Sequence, residues 1–177
     1  MIILSLCATM VHGQIVKSTE TEISFFSEAP LENIEALNKK GKSLIKTSTN
    51  DIAWVVSIRG FHFEKPLMEE HFNENYMETE KGEAYKTATF KGKINEDVDW
   101  GKDGVYKVTA TGDLTIHVVT KKRTIEGELE IKGGKIMLMS EFQVKLEDHK
   151  VEIPKMVLKN IAETVDVKVA GTYEASK

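Results

Sequence analysis

Hydrophobic and polar positions alternate most cleanly between residues 105 and 131, VYKVTATGDLTIHVVTKKRTIEGELEI. In the first arm Tyr106, Val108, Ala110, Gly112, Leu114, Ile116 and Val118 share one parity, and Lys107, Thr109, Thr111, Asp113, Thr115 and His117 the other. In the second arm Ile125, Gly127, Leu129 and Ile131 alternate with Thr124, Glu126, Glu128 and Glu130. Strand side chains point to opposite faces at period two, so each arm has a dry and a wet face. The charged run Val119-Thr120-Lys121-Lys122-Arg123 between them reads as the turn.

The same period recurs along the chain. Thr21 to Ser27 is a strand ending before Pro30, and Ser43 to Thr47 resumes extended after Gly41. Leu31 to Leu37 fits a helical turn through Leu31, Ile34 and Leu37, or a strand through Ile34 and Ala36; a short helix is favoured. Asn50-Asp51 turns into IAWVVSIRGFHF, where Ile52, Trp54, Val56 and Ile58 share a face and Gly60 marks a bend with a change of parity at Phe61 and Phe63. Pro66 suits the first turn of a short helix over Leu67 to Phe72. Tyr85 to Ile94 is another strand, and Asp103-Gly104 reverses the chain. Gly133-Gly134 reads as a two-residue hairpin turn, since both positions accept positive φ. In the next strand Ile136, Leu138, Ser140, Phe142, Val144 and Leu146 share a face. Met137 and Met139 on its other face call for cover, by Pro154 to Ala162 or by a second copy in a homodimer. Thr164 to Tyr173 closes the series with Val165, Val167, Val169, Gly171 and Tyr173 inward. About eight strands with two or three short helices predict an all-β antiparallel barrel, which removes the exposed edges that a sandwich would keep.

Composition narrows the picture. At 177 residues, 41% hydrophobic and 29% charged, the chain is one globular domain with a sizeable core. A net charge of −4 argues against a nucleic-acid partner. Residues 1–13, MIILSLCATMVHG, have the apolar and cleavage parts of a signal peptide, with Gly13 before the cut, against the competing reading of a buried first strand. They are too short to span a bilayer. The expected mature domain is therefore 14–177, periplasmic or secreted. It has no cysteine, since Cys7 is the only one, and so no thiolate metal site or disulfide.

No serine nucleophile motif appears, and the histidines His62, His71, His117 and His149 lack the spacing of a metal set, with His117 and His149 on wet faces or in turns. The expectation is a protein without catalysis, metal or cofactor. His71, beside Phe72, is the candidate to meet a polar headgroup, and Lys121-Lys122-Arg123 could touch anionic lipid, although an exposed turn is the simpler reading.

Thr111 to Lys121, TGDLTIHVVTK, resembles the "GDLTIHGVTK" hairpin of the YceI-like family of bacterial lipid-binding proteins, with Val118 in place of a glycine. A β-branched residue would be costly there if that position needs positive φ. Leu67 to Glu78 (LMEEHFNENYME), Ala88 to Gly92 (ATFKG), Val151 to Pro154 and Ile161 to Glu163 are similar to further blocks of the family, in order, over roughly Thr21 to Tyr173. The family's Pro after its "KY" is absent at Tyr85-Lys86, behind the insert Gly82-Glu83-Ala84. The resemblance implies a lipocalin-like barrel whose bore holds an isoprenoid lipid or the tail of a quinone. Candidate wall residues are Phe25, Trp54, Val56, Ile58, Phe63, Phe72, Tyr76, Phe90, Tyr106, Leu114, Ile116, Leu129 and Phe142. A bore filled by these side chains, with the outer surface serving as an interaction or stress-protective module, is the alternative.

Overall fold

The computed structural model describes residues 14–153 and 161–175; the expected signal segment lies outside them. Ten strands form one antiparallel sheet in the order β10-β9-β8-β7-β6-β4-β3-β1-β2-β5, and β10 also pairs with β1. The strands are β1 (Ile15–Ser27), β2 (Ile34–Asn38), β3 (Lys42–Lys46), β4 (Asp51–Ser57), β5 (His62–Phe63), β6 (Thr87–Ile94), β7 (Gly104–Ile116), β8 (Val119–Lys132), β9 (Lys135–Lys145) and β10 (Thr164–Ala175). The β1–β10 pairing, from Val16↔Ala175 to Phe26↔Asp166, closes eight of them into a barrel. Among the described residues one α-helix, α1 (Pro66–His71), runs on into a wider turn over Phe72–Tyr76, and the other helical pieces are single 3-10 turns.

β1 is long enough to serve two strands on the edge opposite β10. Its first residues, Ile15 to Lys17, pair with β3, and Ile23 to Ser27 pair with β2. The barrel is therefore tight at one end and flared at the other, where β2 and β5 fold away. This corrects the helical reading of Leu31 to Leu37. Its local pattern fits either state, and the free edge of β1 selects the strand, which buries Ala36 and Asn38 on one face. Asn38 fixes the flare: its Nδ2 donates to Ser57 O at 2.7 Å and its Oδ1 accepts from Lys40 N at 2.8 Å. A Cβ on Gly60 would sit 2.8 Å from that amide, so the bend after β4 needs a glycine by contact.

The charged run Val119 to Arg123 is strand, not turn. The reversal is made by His117 and Val118 alone, at φ 49° and 57°, the two-residue hairpin geometry in which both central residues carry positive φ. Val118 thus keeps the conformation of a glycine despite its branched side chain, which is exposed. Gly133 and Gly134 make the next reversal with φ 58° and 79°, as expected. The strand read from Tyr85 begins at Thr87, because Glu83–Lys86 form a 3-10 turn. On β9, Met139 is 53% exposed and Met137 half-buried; residues 154–160 of the expected cover lie outside the described residues.

Candidate functional site: an apolar bore

Inward positions of the barrel strands enclose a cavity of about 390 Å³, within the ~300–1,000 Å³ range of small-molecule sites. Its floor is the tight end. There Ile45, Ile94, Leu129 and Tyr173 are at most 1% exposed. Trp54 and Tyr173 meet edge to face at 6.3 Å, and the Tyr173 hydroxyl lies 2.7 Å from Ser43 Oγ, which donates to Ala53 O at 2.9 Å. Burial pushes the Tyr173 phenol well above its ordinary value. The middle of the wall is set by Phe90, Leu114, Leu138, Phe142, Val167 and Val169.

The mouth is built differently. Phe25, Phe61, Phe63 and Phe72 pack ring against ring, with centroids 5.1–5.8 Å apart. These rings come from β1, the bend after β4, β5 and the end of α1, so one cluster ties the flare to the helix. Beyond them Ile58, Met77 and Val151 form a small satellite core over Ile116 and Leu146. The polar groups on this part of the wall include Ser27, Glu32, His71, Tyr76, Thr89 and His149. Glu32 pairs with Lys65, and Ser27 Oγ accepts from Ala162 N at 2.9 Å.

Of the residues expected on the wall, Phe25, Trp54, Val56, Ile58, Phe63, Phe72, Tyr76, Phe90, Leu114, Ile116 and Phe142 line this cavity. Tyr106 and Leu129 do not. Tyr106 sits past the floor, its hydroxyl donating to Asp99 O and Lys102 O at 3.2 and 3.1 Å. Leu129 is fully buried in the plug beneath the cavity. Both have inward parity, and both lie too far down the barrel. Sequence reasoning missed Ile34, Met77 and His149, which the flare and the loops bring to the mouth; a period-two signal has nothing to say about loops.

Two histidines expected in wet positions are buried. His117 is 7% exposed, with Nε2 2.9 Å from Glu78 Oε2 and Nδ1 3.1 Å from His149 O, and it meets the Tyr85 ring edge-on at 5.2 Å. Lys81 first, then His117, hold the Glu78 carboxyl below the usual carboxylate range. His149 is 0% exposed; its Nδ1 donates to Val119 O at 3.0 Å, and Nε2 has no partner among the described residues. Burial pushes its imidazole below the ordinary histidine value. Glu78, His117, Val118 and Lys150 are all non-glycine residues at positive φ, so strained backbone concentrates around these two rings. Among the described residues no cluster of three metal-ligating side chains occurs, and no helix is long and apolar enough to cross a membrane.

The barrel has relatives among solved structures. A polyisoprenoid binding domain from Saccharophagus degradans, implicated in plant cell wall breakdown, superposes with a TM-score of 0.75 at 17% identity, over 93% of this chain and 100% of that one. BcnA from Burkholderia cenocepacia gives 0.71 at 16%, over 86% and 95%. The Campylobacter jejuni YceI protein gives 0.65 at 15%, over 100% and 98%. Curated proteins include no significant match. The family model of the YceI-like domain matches residues 7–173, nearly the whole chain, and the protein belongs to the YceI-like family.

Proposed function

We propose that this protein is an exported, non-catalytic carrier that holds an isoprenoid-type lipid, a polyprenyl lipid or a quinone tail, inside the barrel. The observation that carries the reading is the cavity itself: a floor of packed side chains, a wall of aliphatic and aromatic groups, and polar atoms near the rim. An apolar chain needs no specific polar contact there. At ~0.8 kcal/mol per buried CH₂, each isoprene unit supplies roughly 3–4 kcal/mol before the cost of ordering the chain. The polyisoprenoid-binding relative with the same fold supports the same ligand class. The wall hydroxyls of Ser27 and Ser140 are occupied by backbone, bonded to Ala162 N and Glu126 O, which supports carriage over hydrolysis. A filled bore is the weaker reading, because the inward side chains leave space between them.

Protein purified gently from its native host is extracted with organic solvent and the extract read by mass spectrometry. A co-purifying polyprenyl species is expected. A clean extract, together with no rise in melting temperature on adding geranylgeraniol, overturns the carrier reading. Export predicts a mature N-terminus at Gln14, and an intact Met1 on soluble protein discards it. The exposed Met139 supports pairing of two copies through β9; Met137→Glu with Met139→Glu then converts a dimer into a folded monomer in sedimentation, and a monomeric wild type ends the idea.

A further inference from the structure

Among the described residues two buried side-chain atoms lack a hydrogen-bond partner, Asn73 Oδ1 and His149 Nε2. An atom left in that state has given up water and gained nothing in return. Asn73 lies off the wall of the bore, and its amide nitrogen donates to Glu69 O at 2.8 Å. His149 differs, because it is wholly buried and is itself part of that wall.

The ring is held so that this nitrogen presents a lone pair. Nδ1 sits 3.0 Å from Val119 O, and a carbonyl oxygen only accepts, so Nδ1 carries the proton. In the neutral ring Nε2 is then a bare acceptor. Burial keeps the ring neutral; the pull of the Val119 and Ile116 carbonyls toward the charged form is weaker, and Ile116 O is not in hydrogen-bonding geometry with Nε2. The backbone is fixed as well. His117 Nδ1 lies 3.1 Å from His149 O, Val151 N donates to Leu146 O at 3.1 Å, and Lys150 holds φ 54°. A residue anchored through its ring and its own carbonyl keeps Nε2 in one place. The same turn and the adjoining strand end supply Leu146, Val151 and Ile116 to the wall, all apolar. A water held there needs about two to four polar partners, whereas a ligand hydroxyl needs only the one.

Resting on the lipid-carrier reading, we infer that His149 makes the bore specific for a lipid that bears a hydroxyl group. The ligand O–H donates to Nε2 near the mouth, and the apolar chain runs past Leu114 and Phe142 toward Ile94. A head that offers acceptors alone, such as an ether, an ester or a quinone carbonyl, sets lone pair against lone pair and leaves the nitrogen unpaired. A site that bonds a hydroxyl rejects the analogue lacking it more strongly than it rejects a change in apolar length. Two chemical classes present such a group, an isoprenoid alcohol and the quinol form of a tailed quinone. Selection of the quinol makes the carrier sensitive to the redox state of its cargo.

Geranylgeraniol and its methyl ether are each titrated into the full protein and followed by calorimetry. The alcohol is expected to bind roughly tenfold or more tightly than the ether. His149→Phe, which keeps a flat ring but no acceptor, is expected to bring the two level. If that variant does not fold, NMR of the wild type with isotope-labelled histidine decides alone: the Nε2 resonance is expected to be that of an unprotonated nitrogen, shifting with the alcohol and not with the ether. A quinol and its quinone, each with a geranylgeranyl tail, are then compared without oxygen. Preference for the quinol assigns an aromatic head, and equal binding of the two beside a retained preference for the alcohol assigns an aliphatic one. Alcohol and ether bound alike, a gap that survives in His149→Phe, an Nε2 that already carries a proton, or a preference for the quinone overturns the role of His149 and leaves the carrier intact. If neither alcohol nor ether binds, the carrier reading falls and this inference with it.

Discussion

The two ends of the barrel obey different rules. At the floor every neighbouring strand is paired, Trp54 and Tyr173 lock edge to face, and the one buried hydroxyl pair, Ser43 with Tyr173, is satisfied. At the mouth β2 and β5 peel away, β8 and β9 separate, and four non-glycine residues sit at positive φ around two buried imidazoles. The floor is a conventional core that specifies the fold. The mouth gives up pairing and backbone comfort, and it is where the rim's polar groups and the aromatic cluster are found. Stability and the candidate site are thus segregated along one axis, and substitutions can test that division.

The largest effect is expected at the floor. Tyr173→Ala removes a fully buried ring and its hydrogen bond and should cost ~3–5 kcal/mol in urea unfolding. Phe72→Ala, at a half-buried ring in the mouth cluster, should cost less than half of that and weaken lipid binding instead. Equal costs would abolish the distinction. Midway down, Leu114→Trp sharpens it: added volume falls into the cavity, so ligand-free melting should hold while geranylgeraniol binding drops at least about tenfold, whereas a filled bore would lose ~1–3 kcal/mol to overpacking.

A third expectation concerns acid. Because burial lowers the His149 pKa in the folded chain, the unfolded chain takes up its proton first as pH falls through the ordinary histidine value of ~6.5. The folded state then binds fewer protons than the unfolded one, and stability declines with falling pH from that point downward. His149→Gln should flatten the fall in urea midpoint between pH ~7 and ~5.5, and a slope unchanged in the variant would mean that other groups set it. The smallest effect contrasts the two hairpins. Val118→Gly relieves a branched residue at φ 57° and should raise stability by about 1 kcal/mol, while Gly134→Val should lower it by a similar amount. A neutral Val118→Gly would show that the turn costs nothing.

Much of the floor was readable from alternation alone, because a strand buried on one face has to show period two. What period two gives is the face, not the height, and this is why it puts Tyr106 and Leu129 on the wall when they lie below it. The strand at Ile34–Asn38 was ambiguous locally and was decided by the distant free edge of β1. Lys121 to Arg123 reads as a turn because Lys121 and Arg123, opposite Leu114 and Gly112, make sense in a strand only where β8 and β9 stop pairing, which the sequence does not display. His149, between Asp148 and Lys150, has every local mark of exposure; its burial comes from β8, a separate stretch of chain.

The β1–β10 pairing has a consequence in time. It joins the first strand of the barrel to the last, Val16 to Ala175, so the ring cannot close until the final residues are free to move. Until then the chain is an open sheet with two long unpaired edges, the kind of surface on which other chains add strands. Contacts this distant in sequence also form slowly. A protein of this design depends on being kept apart from its own copies between synthesis and closure, and a truncation within β10 should be felt first as aggregation.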